Sequence, residues 1–122
     1  MKVKIDTKEK IHVITPEVPV LSANMTEELN ATLLPYLEKE NKNVILKLDQ
    51  VTKIDKAIAE TILNVHQTFY DKNASFVICE MQKPVEDFFD HLKFLEVLNI
   101  TPTESEAWDI VQMEEIEREF LR

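Results

Sequence analysis

Glycine is missing altogether from this chain of 122 residues. Its absence excludes a Gly-rich phosphate loop, the dinucleotide-binding fingerprint and a nucleophile elbow. Each of these needs a residue without Cβ where the backbone turns sharply or meets a ligand. No other feature removes as many enzyme classes, and it leaves the turns to Asn, Asp and Pro. Cysteine occurs once, as Cys79, so no disulfide closes within the chain. Cys79 sits in the apolar run "SFVICEM" (75–81), where a buried, reduced thiol is expected. No apolar stretch approaches the length of a membrane span, and the opening "MKVKIDTKEK" alternates charged and apolar residues, unlike a signal peptide. These features fit a cytoplasmic protein without direct membrane insertion.

Cations are also scarce: 14 Lys and Arg face 23 Asp and Glu, for a net charge of −9. That balance argues against nucleic-acid binding through phosphates, which takes a basic face, and less strongly against an anionic membrane surface. Proteins with basic patches are the partners that fit it. The three histidines, His12, His66 and His91, are widely spaced, and no pair has metal-ligand spacing on one helix. Neither a metal nor a cofactor is expected.

What is present reads as one α/β domain over 1–122. Residues 3–5 and 11–14 predict two strands joined by the polar turn "DTKEK", a hairpin. "TPEVPVLSA" (15–23) predicts a loop, because two prolines exclude a central strand. A helix is expected from about Asn24, with Asn24 and Glu27 in a capping pattern, an apolar stripe of Leu29, Leu33, Leu34 and Leu37, and a kink or restart at Pro35. "NVILKL" (43–48) predicts a central strand covered on both faces. Asp55 is the expected N-cap of a helix over 56–72, with Ile58, Ile62, Val65 and Phe69 on one face and Asn73 closing it where glycine usually stands.

A further strand follows at 75–81, then a helix with Pro84 in its first turn and Val85, Phe88, Phe89 and Leu92 inward. A short strand is expected near Ile100. Thr103 and Glu106 form a capping box for a last helix, with Ala107, Ile110, Val111 and Phe120 as contacts. Glu114, Glu115, Glu117 and Glu119 are expected on its solvated face. Trp108 is expected to pack this helix onto the sheet. Alternation of strand and helix implies right-handed crossovers and a mixed sheet of four to five strands with about four helices.

The order and the stretch from "NVILKLDQVTKIDKAIAET" to "FFDHLKFLEVLNI" resemble a STAS domain, the family of sulfate transporter C-terminal domains and bacterial anti-sigma factor antagonists. In that family an apolar strand and short turn lead to an apolar residue with Asp, two hydroxyl residues, a glycine and a helix. The matching positions here are Ile54 and Asp55, then Lys56, Ala57 and Ile58. "PVLSAN" (19–24) stands at the family's first helix entry, and the later family glycine is matched to Phe94.

The resemblance implies a non-catalytic module that docks a regulatory protein, such as an anti-sigma factor or a related kinase-like ATPase. The surface it implies comprises Leu21, Ser22, Asn24, Asp55, Lys56, Ala57 and Ile58. In phosphorylated antagonists one of the two hydroxyls after the Asp accepts phosphate. Lys56 and Ala57 have no oxygen to phosphorylate, so the switch by added charge cannot operate at that position. Thr52 and Thr61 remain open as substitutes. Two other readings stand beside this one: a STAS-like small subunit packed on the ATPase of a membrane transporter, and a small thiol enzyme using Cys79. The second lacks an oxyanion-donor motif or a base paired to the thiol by spacing.

Overall fold

A computed structural model describes residues 1–121. Its centre is a five-stranded mixed sheet, in the order β1-β2-β4-β6-β7. β1 (Val3–Lys8) and β2 (Ile11–Pro16) form an antiparallel hairpin. β4 (Asn43–Lys47) runs parallel to β2 and to β6 (Phe76–Cys79), and β6 runs parallel to β7 (Ile100–Thr101). The helices are α1 (Thr26–Leu33), α2 (Lys56–Asp71), α3 (Lys83–His91) and α4 (Glu104–Phe120). A second, two-stranded parallel sheet pairs β3 (Val20–Leu21) with β5 (Lys53–Ile54).

Strand alternation sorts the core into two layers. Val44 and Leu46 of β4, with Phe76 and Ile78 of β6, face α1, α2 and α3. Ile45, Val77 and Cys79 point the other way, under Ala107 and Val111 of α4. Both layers are closed, which is why "NVILKL" is apolar throughout rather than alternating. Ile58, Ile62, Val65 and Phe69 are all buried, as the period of α2 predicts, and so are Val85 and Phe89 of α3. Pro35 ends α1: residues Leu34–Glu38 tighten into a 3₁₀ turn that still buries Tyr36 and Leu37.

Several local expectations are overturned. Asp6, Thr7 and Lys8 belong to β1, paired with Val13, His12 and Ile11, and only Glu9 and Lys10 form the turn. Both have positive φ, 52° and 70°, the twist a two-residue hairpin turn requires. The loop at 15–23 is interrupted by β3, whose two residues are too few to show a period. Asn24 does not cap α1: the N-cap position is Met25, without a side-chain bond, and Asn24 Oδ1 instead accepts from the Ser22 hydroxyl. Phe120 of α4 projects into solvent. Glu114, expected outside, turns inward and accepts from the Tyr70 hydroxyl at 2.8 Å and the Ser75 hydroxyl at 2.6 Å. Its neighbour Arg118 donates to Ser75 Oγ at 2.7 Å. The capping box at Thr103 is half formed. Thr103 Oγ1 accepts from the Glu106 N–H at 3.2 Å, while the Glu106 carboxylate returns to the same hydroxyl.

Without glycine, five other residues among those described take the left-handed conformation: Glu9, Lys10, Asn73, Glu80 and Lys93. Asn73 and Lys93 each close a helix with paired bonds. Ala74 N–H reaches Phe69 O at 2.9 Å and Asn73 N–H reaches Tyr70 O at 3.1 Å; Phe94 N–H reaches Phe89 O at 3.0 Å and Lys93 N–H reaches Asp90 O at 2.9 Å. This is the Schellman arrangement with Asn73 and Lys93 at C′. The glycine-like position after α3 is therefore Lys93. Phe94, matched to it from sequence, packs its ring on the core.

Beneath the helices, His66 is buried against the rings of Tyr70 and Phe76, and its Nε2 accepts from the Asn99 N–H at 3.3 Å. Burial pushes its pKa below the ordinary value, with the Glu114 carboxylate opposing in part.

Lys93→Gly is expected to stabilise the fold by about 1 kcal/mol, by relieving the left-handed strain on a residue with Cβ. Phe94→Gly is expected to destabilise it. Urea denaturation at unchanged slope checks both. A second expectation concerns acid. The folded state resists protonating His66, so the unfolded state binds the extra proton as pH falls below 6.5, the ordinary histidine value. Stability attached to His66 is present above that pH and declines below it. His66→Gln keeps an acceptor for Asn99. It should lose less stability than the parent between about pH 7 and pH 5, measured by urea midpoints across that range.

Candidate functional site

The residues singled out around positions 21–24 and 55–58 meet because β3 and β5 pair. Val20 lies beside Lys53 and Leu21 beside Ile54. The contact is held by Asp55 N–H to Leu21 O at 3.1 Å and by Thr52 N–H to Pro19 O at 2.8 Å. The Asp55 carboxylate completes it. Asp55 stands at the N-cap position of α2 with extended backbone, and its carbonyl accepts from the Ala59 N–H at 3.1 Å. Its side chain, however, makes no bond to its own helix. Oδ2 accepts instead from the Ala23 N–H at 2.8 Å, at the start of the 3₁₀ turn that leads into α1. The expected helix cap is thus a clasp between two helix entries.

The side chains then divide. Lys56 and Asn24 are exposed, and Ser22, Asp55 and Ala57 are half-buried. Leu21 and Ile58 were grouped with them from sequence, but both side chains lie wholly within the core. They shape the ridge from beneath and offer no surface, because residues flanking an exposed corner on a strand and a helix alternate between solvent and interior. The Lys56 ammonium stands in the first turn of α2, where no acidic residue offsets it. The corner therefore presents the Lys56 cation beside the Asp55 carboxylate, at a helix N-terminus without a side-chain cap, a combination open to an oxygen-rich contact.

The hydroxyls near this ridge point back into backbone. Thr52 Oγ1 donates to Pro19 O at 3.0 Å, and Thr61 Oγ1 donates to Ala57 O at 2.8 Å within α2. Thr52 is exposed and Thr61 half-buried. The large polar cleft lined by Lys10, Lys42, Asn73 and Arg118 lies at the opposite end of the strands, away from the corner.

Cys79 is fully buried at the end of β6. Burial first, then the Glu80 and Glu104 carboxylates, push its thiol up to about 12, so thiolate is scarce at neutral pH. The carboxylates have structural work. Glu80, held at φ 59°, accepts from the Glu104 N–H at 2.7 Å and so caps α4. Glu104 pairs with Lys47 at 3.2 Å and accepts from Trp108 Nε1 at 3.0 Å. Burial would raise the Glu104 pKa, but these two donors outweigh it and lower it. The histidines do not converge. His12 Nε2 donates to the Asn41 carbonyl at 2.8 Å, and its Nδ1 is bonded to the Thr7 hydroxyl at 2.8 Å. No group of three or more His, Cys, Asp or Glu arranged for a metal occurs among the described residues.

Comparison with known proteins returns a family and a fold. The STAS domain family model matches residues 2–107. None of the curated proteins matches the sequence. Among solved structures, a Thermotoga maritima protein assigned as an anti-sigma factor antagonist superposes with a TM-score of 0.81 at 18% identity, covering 90% of this chain and 94% of that one. An anti-sigma factor antagonist from Mycobacterium paratuberculosis gives 0.80 at 8% identity, over 91% and 93% of the two chains. The antagonist SpoIIAA in its unphosphorylated form gives 0.73 at 14% identity, over 91% and 96%. At such identities the structural likeness is one of fold, and the family model carries the membership. The match over residues 2–107 establishes that this chain belongs to the STAS domain family.

Proposed function

We propose that this chain is a non-catalytic protein-interaction module that docks a regulatory partner through the ridge formed by Ser22, Asn24 and Asp55 to Ala57. The observation that carries this reading is the clasp. Asp55 Oδ2 on the Ala23 N–H, with the β3–β5 pairing beneath it, makes one rigid edge from two distant segments. Such an edge is ordered before a partner arrives, so docking does not have to supply its ordering entropy. The fold likeness to anti-sigma factor antagonists supports a partner of the anti-sigma factor or kinase-like ATPase class. The exposed Lys56 at the start of α2 supports an acidic group on that partner as its contact.

Docking at this ridge is not switched by phosphate at the family position. SpoIIAA exists in a phosphorylated form, whereas Lys56 and Ala57 carry no hydroxyl. A permanent cation stands where an added dianion would otherwise repel the partner. Control, where it exists, acts through the partner or elsewhere on the chain. Thiol chemistry fits poorly, because the one thiol is buried and strongly disfavoured as thiolate.

Two measurements test this reading. With the partner identified by affinity capture, Lys56→Glu should weaken the complex by about tenfold or more in a titration, since charge reversal at a contact both loses an attraction and adds a repulsion. Unchanged affinity would remove the ridge from the interface. Cys79 should react with a thiol reagent in the native protein far more slowly than in the unfolded chain. Rapid native labelling, accompanied by turnover that the label abolishes, would restore the enzyme reading.

A further inference from the structure

Seven large apolar side chains are exposed among the described residues, and four of them, Met113, Ile116, Phe120 and Leu121, fall in the last turns of α4 and the residue after it. The first three are spaced i, i+3, i+7, so they share one side of the helix. That side is turned away from the protein. Ala107 and Val111 face the sheet, and Glu114 and Arg118 continue the inward stripe through their bonds to Tyr70 and Ser75. Met113, Ile116 and Phe120 stand about half a turn from them around the helix, with exposures of 60%, 56% and 84%. Single exposed apolar residues are ordinary, but a three-residue helical stripe left exposed by all the described residues is the pattern of a helix-docking face.

The charge around the stripe selects its occupant. Asp109, Glu117 and Glu119 border it, all exposed, Glu119 also lining the cleft with Lys10 and Lys42. The single cation of α4, Arg118, is drawn inward to Ser75, Glu114 and Glu115. Among the described residues of α4 the outward face therefore carries negative charge alone. A second copy of the same helix would set these carboxylates against themselves, and an anionic bilayer would repel them. The STAS family match ends at residue 107, so the stripe lies in the part of α4 beyond it. It is also on the face of the sheet opposite α1, α2 and α3, whereas the ridge at Asp55 begins α2.

We propose that the outward face of α4 is a second docking surface, which takes a basic amphipathic helix of a partner protein. Apolar residues of that helix would pack on Met113, Ile116 and Phe120, and its Lys or Arg residues would pair with the flanking carboxylates. With the ridge on the other side of the sheet, the chain could then hold two partners at once.

The test uses a synthetic helical peptide of about 18 residues, with leucines along one face and lysines flanking them, and titrates the full chain by fluorescence and by backbone amide NMR. Binding in the micromolar range is expected, with shifts concentrated on 109–120 and affinity falling as salt rises. Ile116→Gln with Phe120→Gln should weaken it about tenfold or more while leaving the thermal midpoint unchanged, because both side chains project into solvent. Lys56→Glu should leave it unaltered, which separates this surface from the ridge. Equal binding of a peptide of the same composition with its leucines scattered would reduce the effect to charge and overturn the proposal. So would unchanged affinity in the double variant. A dimer of the parent protein that the double variant dissociates, or binding to phosphatidylglycerol vesicles that it abolishes, would assign the stripe to self-association or to lipid instead.

Discussion

Strand β4 is enclosed on every side, and the rest of the molecule is arranged around that enclosure. Its edges are taken by β2 and β6, and its faces by α4 on one side and the remaining helices on the other. Each of Val44, Ile45 and Leu46 is removed from water completely, a gain of about 1.5–3 kcal/mol per side chain. The start of the strand is fastened as well. Asn43 Oδ1 accepts from the Ser75 N–H at 2.9 Å, and its Nδ2 donates to Glu115 at 2.7 Å. One amide thus ties together β4, the entry to β6 and α4. With the strand so held, its exit has one direction, and the turn at Asp49 and Gln50 delivers β5 beside β3.

The ridge inherits its rigidity from this arrangement. Two strands of two residues each would not pair alone. They do so here because Leu21, Ile54 and Ile58 are buried beneath them and because Asp55 binds across to Ala23. The apolar residues of the corner supply the foundation, and the polar ones supply the surface. That division explains how a corner without a nucleophile can still have a defined shape. In this role Asp55 differs from an ordinary helix cap, since it joins the entry of α1 to that of α2 rather than finishing α2 alone.

The lack of glycine has a traceable structural cost. Five residues with side chains occupy the left-handed region, each at an energetic disadvantage that its surroundings must offset. The offsets are visible. The turns at Asn73 and Lys93 each satisfy two helix carbonyls, Glu9 and Lys10 set the hairpin twist, and Glu80 turns so that its carboxylate caps α4. At Glu9, Lys10 and Lys93 the charged side chains keep the turns in solvent.

The sequence by itself determined the order of the main-sheet strands and the four helices, the central place of "NVILKL", the buried faces of α2 and α3, the break at Pro35, the buried thiol and the family. These rest on patterns of period two or 3.6 and on local turn chemistry, which act within a few residues and so are written in the chain. Only the tertiary structure decided the β3–β5 pairing, the partner of Asp55, the inward turn of Glu114 and the outward stripe of α4. It also placed the left-handed residue at Lys93 instead of Phe94. Two-residue strands carry no period, and a carboxylate at a helix start is equally able to cap its own helix or reach another. A helix rich in Glu with scattered apolar residues can lie on a sheet in more than one rotation. Contacts between residues distant in sequence choose among these, and burial of the shared core supplies the free energy that makes the choice.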